Sequence, residues 1–143
     1  MMKTVKHILH NKPAVVHAVG PDVSVLEALK IMMEKNISAL LVTEGEQLKG
    51  IFTERDYARK IILQGKSSRD TAIRDVMTTG PHTIGPDEAI DQCMQLMTNN
   101  HFRHLPVLDG ETVVGIISIG DLVKSIIEDQ QQTISQLQSY ITG

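Results

Sequence analysis

The chain repeats itself. Gly50 to Ile62 reads GIFTERDYARKII, and sixty-five residues later Gly115 to Ile127 reads GIISIGDLVKSII. The same shift lays His17 on His82, Gly20-Pro21-Asp22 on Gly85-Pro86-Asp87 and Met32 on Met97. It also lays Leu40 on Leu105, Val42 on Val107, Gly45-Glu46 on Gly110-Glu111 and Asp56 on Asp121. No gap is needed between residues 17 and 62. A register held that long makes the two halves copies of one unit. A chain of 143 residues has room for two such units and little else, and neither has strands enough to close a core alone. The two copies are therefore expected to pack on each other.

Each copy reads β-α-β-β-α. A short extended piece, Ala14 to Val19 in the first copy, ends in the Gly-Pro-Asp turn. Val25, Leu26, Leu29, Met32 and Met33 then recur at helical spacing, with Asp22 or Ser24 as N-cap. The matching helix, Ala89 to Asn99, turns Ile90, Cys93, Met94 and Met97 inward. Two strands follow, Ala39 to Thr43 and Leu48 to Phe52, matched by Leu105 to Leu108 and Val113 to Ser118. The Glu-Gly-Glu and Asp-Gly-Glu segments between them carry hairpin turn chemistry. A second helix closes each unit, Glu54 to Leu63 and Ile119 to about Asp129. Short helices are expected ahead of each copy, at Val5 to Leu9 and Ile73 to Met77. The organisation predicted is an α+β fold with a first repeat over 1–63 that includes its lead-in helix, a polar linker over 64–72, a second repeat over 73–129, and a C-terminal amphipathic helix over 130–143.

Composition narrows the function classes. A net charge of −3 gives no general attraction to nucleic acid or to an anionic membrane. No apolar run approaches the roughly 18 residues that span a bilayer, and the start, MMKTVKHILHNKP, lacks the apolar core of a signal peptide. The one cysteine, Cys93, permits no intrachain disulfide, so a reducing, cytoplasmic setting is the simplest fit. Neither a Walker sequence nor a dinucleotide-binding glycine fingerprint is present. His7 with His10, and His101 with His104, lack a cysteine or carboxylate at ligand spacing, so no metal site is expected. No nucleophile–base pair suggests an enzyme.

The opening motif has two readings. Thr53-Glu54-Arg55-Asp56 and Ser118-Ile119-Gly120-Asp121 both match a capping box, a hydroxyl N-cap with an acid three residues on. Such a box needs no function. It also stands where a strand gives way to a helix, with unpaired N–H groups at hand. There a hydroxyl can donate to a phosphate oxygen and a carboxylate can accept from the two hydroxyls of a ribose. Hydroxyl, N–H groups and acid together suit the sugar and phosphate of a nucleotide.

The doubled junction, Gly50, Thr53 and Asp56 with Gly115, Ser118 and Asp121, set in two tandem β-α-β-β-α units, resembles a cystathionine-β-synthase (CBS) domain pair, or Bateman module. HFRHLPVLD, His101 to Asp109, is similar to the family's second strand and its approach. The resemblance covers roughly residues 5 to 129. It implies two CBS repeats packed with pseudo-two-fold symmetry and ligand clefts between them. It implies an adenosine-containing ligand: AMP, ADP, ATP or NAD, with S-adenosylmethionine ranked behind them. Ribose would fall to Asp56 and Asp121, and the phosphate side to Thr53, Ser118, Arg103 and His104. Adenine would fall to Val16, His17, Ile37, Ser38 and Ala39, or to Pro81, His82 and Phe102, with one copy's acid serving the other copy's adenine pocket. Because Arg103 and His104 stand where the first copy has Ser38 and Ala39, the cleft holding Arg103 is expected to prefer the more phosphorylated ligand. The module so implied is stand-alone and regulatory, an energy sensor that relays occupancy to an unknown protein target and pairs as a homodimer. The rival reading is a structural dimerisation module with empty clefts, its motifs two helix caps.

Overall fold

A computed structural model describes residues 3–12 and 16–142. The elements run α1 Val5–His10, β1 Ala18–Val19, α2 Val25–Lys35, β2 Ala39–Glu44, β3 Gln47–Thr53 and α3 Glu54–Tyr57. A π-helical turn, Ala58–Ile62, and a 3-10 turn, Ile73–Asp75, lead to β4 Thr78–Thr79, α4 Ile90–Asn100, β5 His104–Asp109, β6 Thr112–Ser118 and α5 Ile119–Thr142. The architecture is the α+β arrangement of two repeats. Of the first extended piece, Ala18 and Val19 form β1, while Ala14 and Val15 lie outside the described residues.

The repeat in sequence is a repeat in hydrogen bonds. Val19 pairs in parallel with Val42, and Ile84 with Val107. Both hairpins slip register at the same place, after Val42 and after Val107. Both turns hold a glycine at positive φ, Gly45 at 60° and Gly110 at 65°, a conformation that glycine adopts without steric cost. Asn36 and His101, again equivalent, end α2 and α4 in the left-handed region.

The lead-ins cross over. Thr4 bridges to Ala89 and Ala72 to Ser24. The amides of Val5 and Lys6 donate to the carbonyls of Glu88 and Pro86, and those of Ile73 and Arg74 to Val23 and Pro21. Each lead-in thus attaches to the copy that it does not precede. Val5 and Ile8 sit in one core with Ile90, Cys93, Met97, Leu105 and Leu122 of the second copy. Ile73 and Val76 sit in the other with Val25, Met32, Phe52 and Ile61 of the first. A third cluster, Ala39, Leu41 and Ile51 with Val16, Val113 and Ile116, joins the sheets of the two copies. Burying each such aliphatic side chain is worth roughly 1.5–3 kcal/mol, so the exchange ties the halves together at their interiors.

Four expectations are corrected. Met33 is 82% exposed, because the buried face of α2 runs through Val25, Ala28 and Met32. The helix after β3 is not α-helical through to Leu63: it changes to a π turn at Ala58, closed by the Leu63 amide on the Ala58 carbonyl. The short helix expected at Ile73 to Met77 is a single 3-10 turn and covers only Ile73–Asp75. The C-terminal segment from 130 is no separate helix, since α5 runs unbroken from Ile119 to Thr142. Cys93 is a free, fully buried thiol, pushed up to about 11 by burial and by the nearby Glu88. Among the described residues no helix is long and apolar enough to cross a membrane.

Candidate functional site

A cleft lies between the copies. Its volume is about 1290 Å³. Thr53 and Asp56 of the first copy line it, opposite Pro81, His82, Phe102, Arg103 and His104 of the second, with Ser38 beside them. Asp56 therefore lines the same cleft as the second copy's candidate adenine residues.

Asp56 is held from every side. Its Oδ2 accepts from the Thr53 amide at 3.0 Å and the Thr53 hydroxyl at 3.1 Å, while its own amide donates to Thr53 Oγ1 at 3.2 Å. This is a complete capping box. Its Oδ1 accepts from the Thr78 hydroxyl at 3.2 Å and pairs with Lys60 Nζ at 3.1 Å. The Glu54 amide donates to the Ser38 carbonyl, and the Ile119 amide to the Arg103 carbonyl, so each second helix starts pinned to the segment that opens the middle strand. Gly50 explains its place in the motif: a Cβ there would meet Met77 Sδ at 2.6 Å and the Thr78 carbonyl at 2.7 Å. Only a bare backbone lets β4 close on β3 and bring Thr78 to Asp56.

Across the cleft, His82 and Phe102 stack with ring centroids 5.3 Å apart and planes 28° from parallel. That ledge lines the cleft. His104 Nε2 lies 3.0 Å from Ser38 Oγ and so bridges the copies. Burial pushes the His104 imidazole below its ordinary value; Asp121 works against this, and Lys12 and Arg103 add to it.

The rim was not foreseen from sequence. Arg55, Arg59 and Lys60 line the cleft beside Arg103, against the carboxylates of Glu54 and Asp56. The cleft is thus cationic within a chain of net charge −3, which suits an anionic ligand. Arg59 and Lys60 belong to the π turn, a feature that the i, i+3, i+4 pattern cannot reveal. Arg55 donates to the His101 carbonyl and so ties the copies at the rim.

The second acid has different surroundings. Asp121 Oδ2 accepts from the Ser118 amide at 2.8 Å and from Lys12 Nζ at 2.8 Å. The Asp121 amide donates to Ser118 Oγ at 3.2 Å, and Lys12 also donates to the Ile116 carbonyl. Burial raises the Asp121 carboxyl, but the bonds from Lys12 and Ser118 outweigh it and leave the group below its ordinary value. Lys12 does for Asp121 what Lys60 does for Asp56, from a different part of the chain. At the position matching Lys60 the second copy has Ser125, buried, its hydroxyl without a hydrogen-bond partner. Of the remaining candidates, Val16 and Ala39 pack in the cluster between the sheets, Ile37 packs on the first copy's core, and His17 is half-buried, its carbonyl accepting from the Leu41 amide. None of these four lines the cleft at Asp56. Among the described residues no three His, Cys, Asp or Glu side chains gather as a metal site.

Comparison with known proteins gives one family. The CBS domain model matches residues 5–63 and again 73–128. A CBS domain-containing protein of Arabidopsis thaliana, CBSX3, named as mitochondrial, is 42% identical over 127 residues, covering 85% of this chain and 62% of that protein. The chain thus spans less than two thirds of that relative. A solved structure of a CBS-domain protein from Burkholderia ambifaria, provisionally described as a signal-transduction protein, is 49% identical, with a TM-score of 0.86 over 90% of this chain and 96% of that one. The CBS domain pair of protein MJ0100, solved with 5'-methylthioadenosine and S-adenosyl-L-methionine, is 30% identical, with a TM-score of 0.80 over 90% of this chain and 99% of that one.

Proposed function

The chain belongs to the CBS-domain family, with two CBS domains in tandem, and from that premise we propose that it is a regulatory protein whose cleft at Asp56 takes an adenosine-bearing anion, AMP, ADP, ATP or NAD. The carrying observation is what the cleft brings together: the Asp56 carboxylate of the first copy, the His82–Phe102 ledge of the second, and the cationic side chains of Arg55, Arg59, Lys60 and Arg103. Adenine lies against the ledge and the Pro81 ring. The ribose diol donates to Asp56 Oδ1 in place of Thr78 and Lys60. Lys60, released, joins Arg59, Arg103 and the Thr53 hydroxyl on the phosphates. A sulfonium ligand would bring a positive charge to a positive rim, which ranks S-adenosylmethionine last. A volume above the roughly 300–1000 Å³ of most small-molecule sites leaves room for a phosphate tail. Asp121, Ser118, His17 and Val16 are assigned to the symmetry-related cleft, with Ile37 and Ala39 beside them. Occupancy acts on a protein target through differential affinity for two states of the pair, with no catalysis of its own, in a reducing cytoplasm.

One observation favours the rival, a structural module. Both motifs are complete helix caps in their own right. Thermal unfolding of protein stripped of nucleotide, with AMP, ADP, ATP, NAD and S-adenosylmethionine in turn, separates the two. At about 100 times its dissociation constant a ligand adds roughly 2.7 kcal/mol. Asp56→Asn should abolish that shift while keeping most of the cap, and Arg59→Ala should weaken ATP more than AMP, by roughly tenfold. No shift with any ligand assigns the motifs to capping alone.

A further inference from the structure

One bond between the copies involves a group that can change its charge without leaving its place. His104 opens β5, where it pairs with Ser118 of β6, and the Arg103 carbonyl before it accepts from the Ile119 amide. Its backbone is thus fixed within the second copy. Its ring crosses to the first, with Nε2 3.0 Å from Ser38 Oγ. Ser38 is fixed in turn, its carbonyl accepting from the Glu54 amide. A neutral imidazole can accept from the Ser38 hydroxyl or donate to it, and an imidazolium can donate, because a hydroxyl turns to serve either partner. The bond therefore holds in both charge states. The first copy has no such group, since Ala39 stands at the position equivalent to His104.

The surroundings set the charge. His104 lines the cleft with the cations Arg55, Arg59, Lys60 and Arg103 and the carboxylates Glu54 and Asp56; His82 and His101 are the other imidazoles there. From the second copy's motif Asp121 also acts on the ring, and so does Lys12 from the lead-in. Among these groups cations outnumber carboxylates, and Asp56 and Asp121 are each already paired with a lysine. Burial, opposed by Asp121 and helped by Lys12 and Arg103, keeps the imidazole below its ordinary value, so the empty cleft favours the neutral ring. A phosphate entering the cleft brings the negative charge that the site lacks, and a nearby anion favours the charged form of a histidine.

We propose, on the ligand reading given above, that His104 takes a proton from solvent when a phosphate-bearing ligand fills the cleft at Asp56, so that occupancy is coupled to pH. At a fixed ligand concentration, a falling pH then fills the cleft, and binding takes up protons in return. With alanine in the matching place, the symmetry-related cleft lacks this coupling. The chain would thus read acidity together with nucleotide, through one of its two clefts.

Isothermal titration calorimetry with AMP and with ATP tests this on the full chain and on His104→Gln, at about pH 7 in buffers of differing ionisation enthalpy. The ligand's own phosphate titrates at about pH 6 and is common to both proteins, so the difference between them belongs to His104. The wild type should take up roughly half a proton more than the variant on binding. The ratio of the two affinities should shift about five- to tenfold toward the wild type between about pH 8 and about pH 6. In NMR spectra of the wild type, the ring C–H signals of His104 should titrate below 6.5 without ligand and at least about one pH unit higher with AMP. That measurement needs no substitution, so it decides the matter even where the variant folds poorly. Binding with the same proton number in both proteins, or a His104 titration that AMP does not move, overturns the coupling and leaves the ligand reading standing. No binding of either nucleotide to the wild type, by heat or by any ring signal, overturns the ligand reading and the coupling with it.

Discussion

Asp121 and His104 make one electrostatic unit on the second copy. Burial holds the His104 imidazole below its ordinary 6.5, so the fold favours its neutral form. An unfolded chain takes up that proton first as the pH falls, and stability drops below about pH 6.5. Asp121, held below 3.8 once the bonds from Lys12 and Ser118 outweigh its burial, favours its charged form in the fold. Its contribution is complete above 3.8 and disappears as the pH falls through the lowered value. Both groups therefore destabilise the fold in acid, in two separate windows. Urea unfolding at pH 7.5 and 5.5 should show a lower wild-type midpoint at 5.5, and His104→Gln should flatten that difference. An unchanged slope would assign the first window to other groups.

At the scale of the element, the two copies differ where their sequences differ. Ser24 caps α2 by accepting from the Glu27 amide at 3.1 Å, whereas its equivalent, Ala89, has no side chain with which to cap α4. The two residues share nearly the same backbone, φ −68° and ψ 153° against φ −70° and ψ 144°. Ser24→Ala should cost about 1 kcal/mol, and Ala89→Ser should add about 0.5–1 kcal/mol, both measured by urea unfolding. Helices, hairpins and caps were legible because each rests on local chemistry: Gly45 and Gly110 at the turns, Ser24 before an apolar period. Met33 was not, since its spacing suits a helix and only packing decides which side faces the core. Nor was the π turn, whose Arg59 and Lys60 enter the cleft through an extra residue per turn. Thr53 and Asp56 could be found from the doubled motif, and Phe102 from the family resemblance that the motif carries. Thr78 could not, because it reaches Asp56 only once β4 has crossed to the other copy's sheet.

For the whole molecule, the exchanged lead-ins decide how damage spreads. Val5 precedes the first copy but is fully buried in the core of the second. Val5→Ala should cost roughly 2–3 kcal/mol. Hydrogen exchange should show the loss most strongly in the amides of α4, β5 and β6, although the substitution lies more than eighty residues away in sequence. Equal loss in α2 would show the halves opening as one cooperative unit.

The crossing also bears on how such a chain can arise. Lead-in and receiving surface match in both directions, Val5 and Lys6 on Glu88 and Pro86 as Ile73 and Arg74 on Val23 and Pro21. One unit that lends its arm to a neighbour and borrows the neighbour's in return is a swapped dimer. Joining two such units end to end adds no new interface. It converts a meeting between molecules into one within a molecule, at an effective concentration set by a short tether. Once joined, the partners no longer need to stay identical, and one acid can keep its lysine on the neighbouring turn while the other draws it from the borrowed arm.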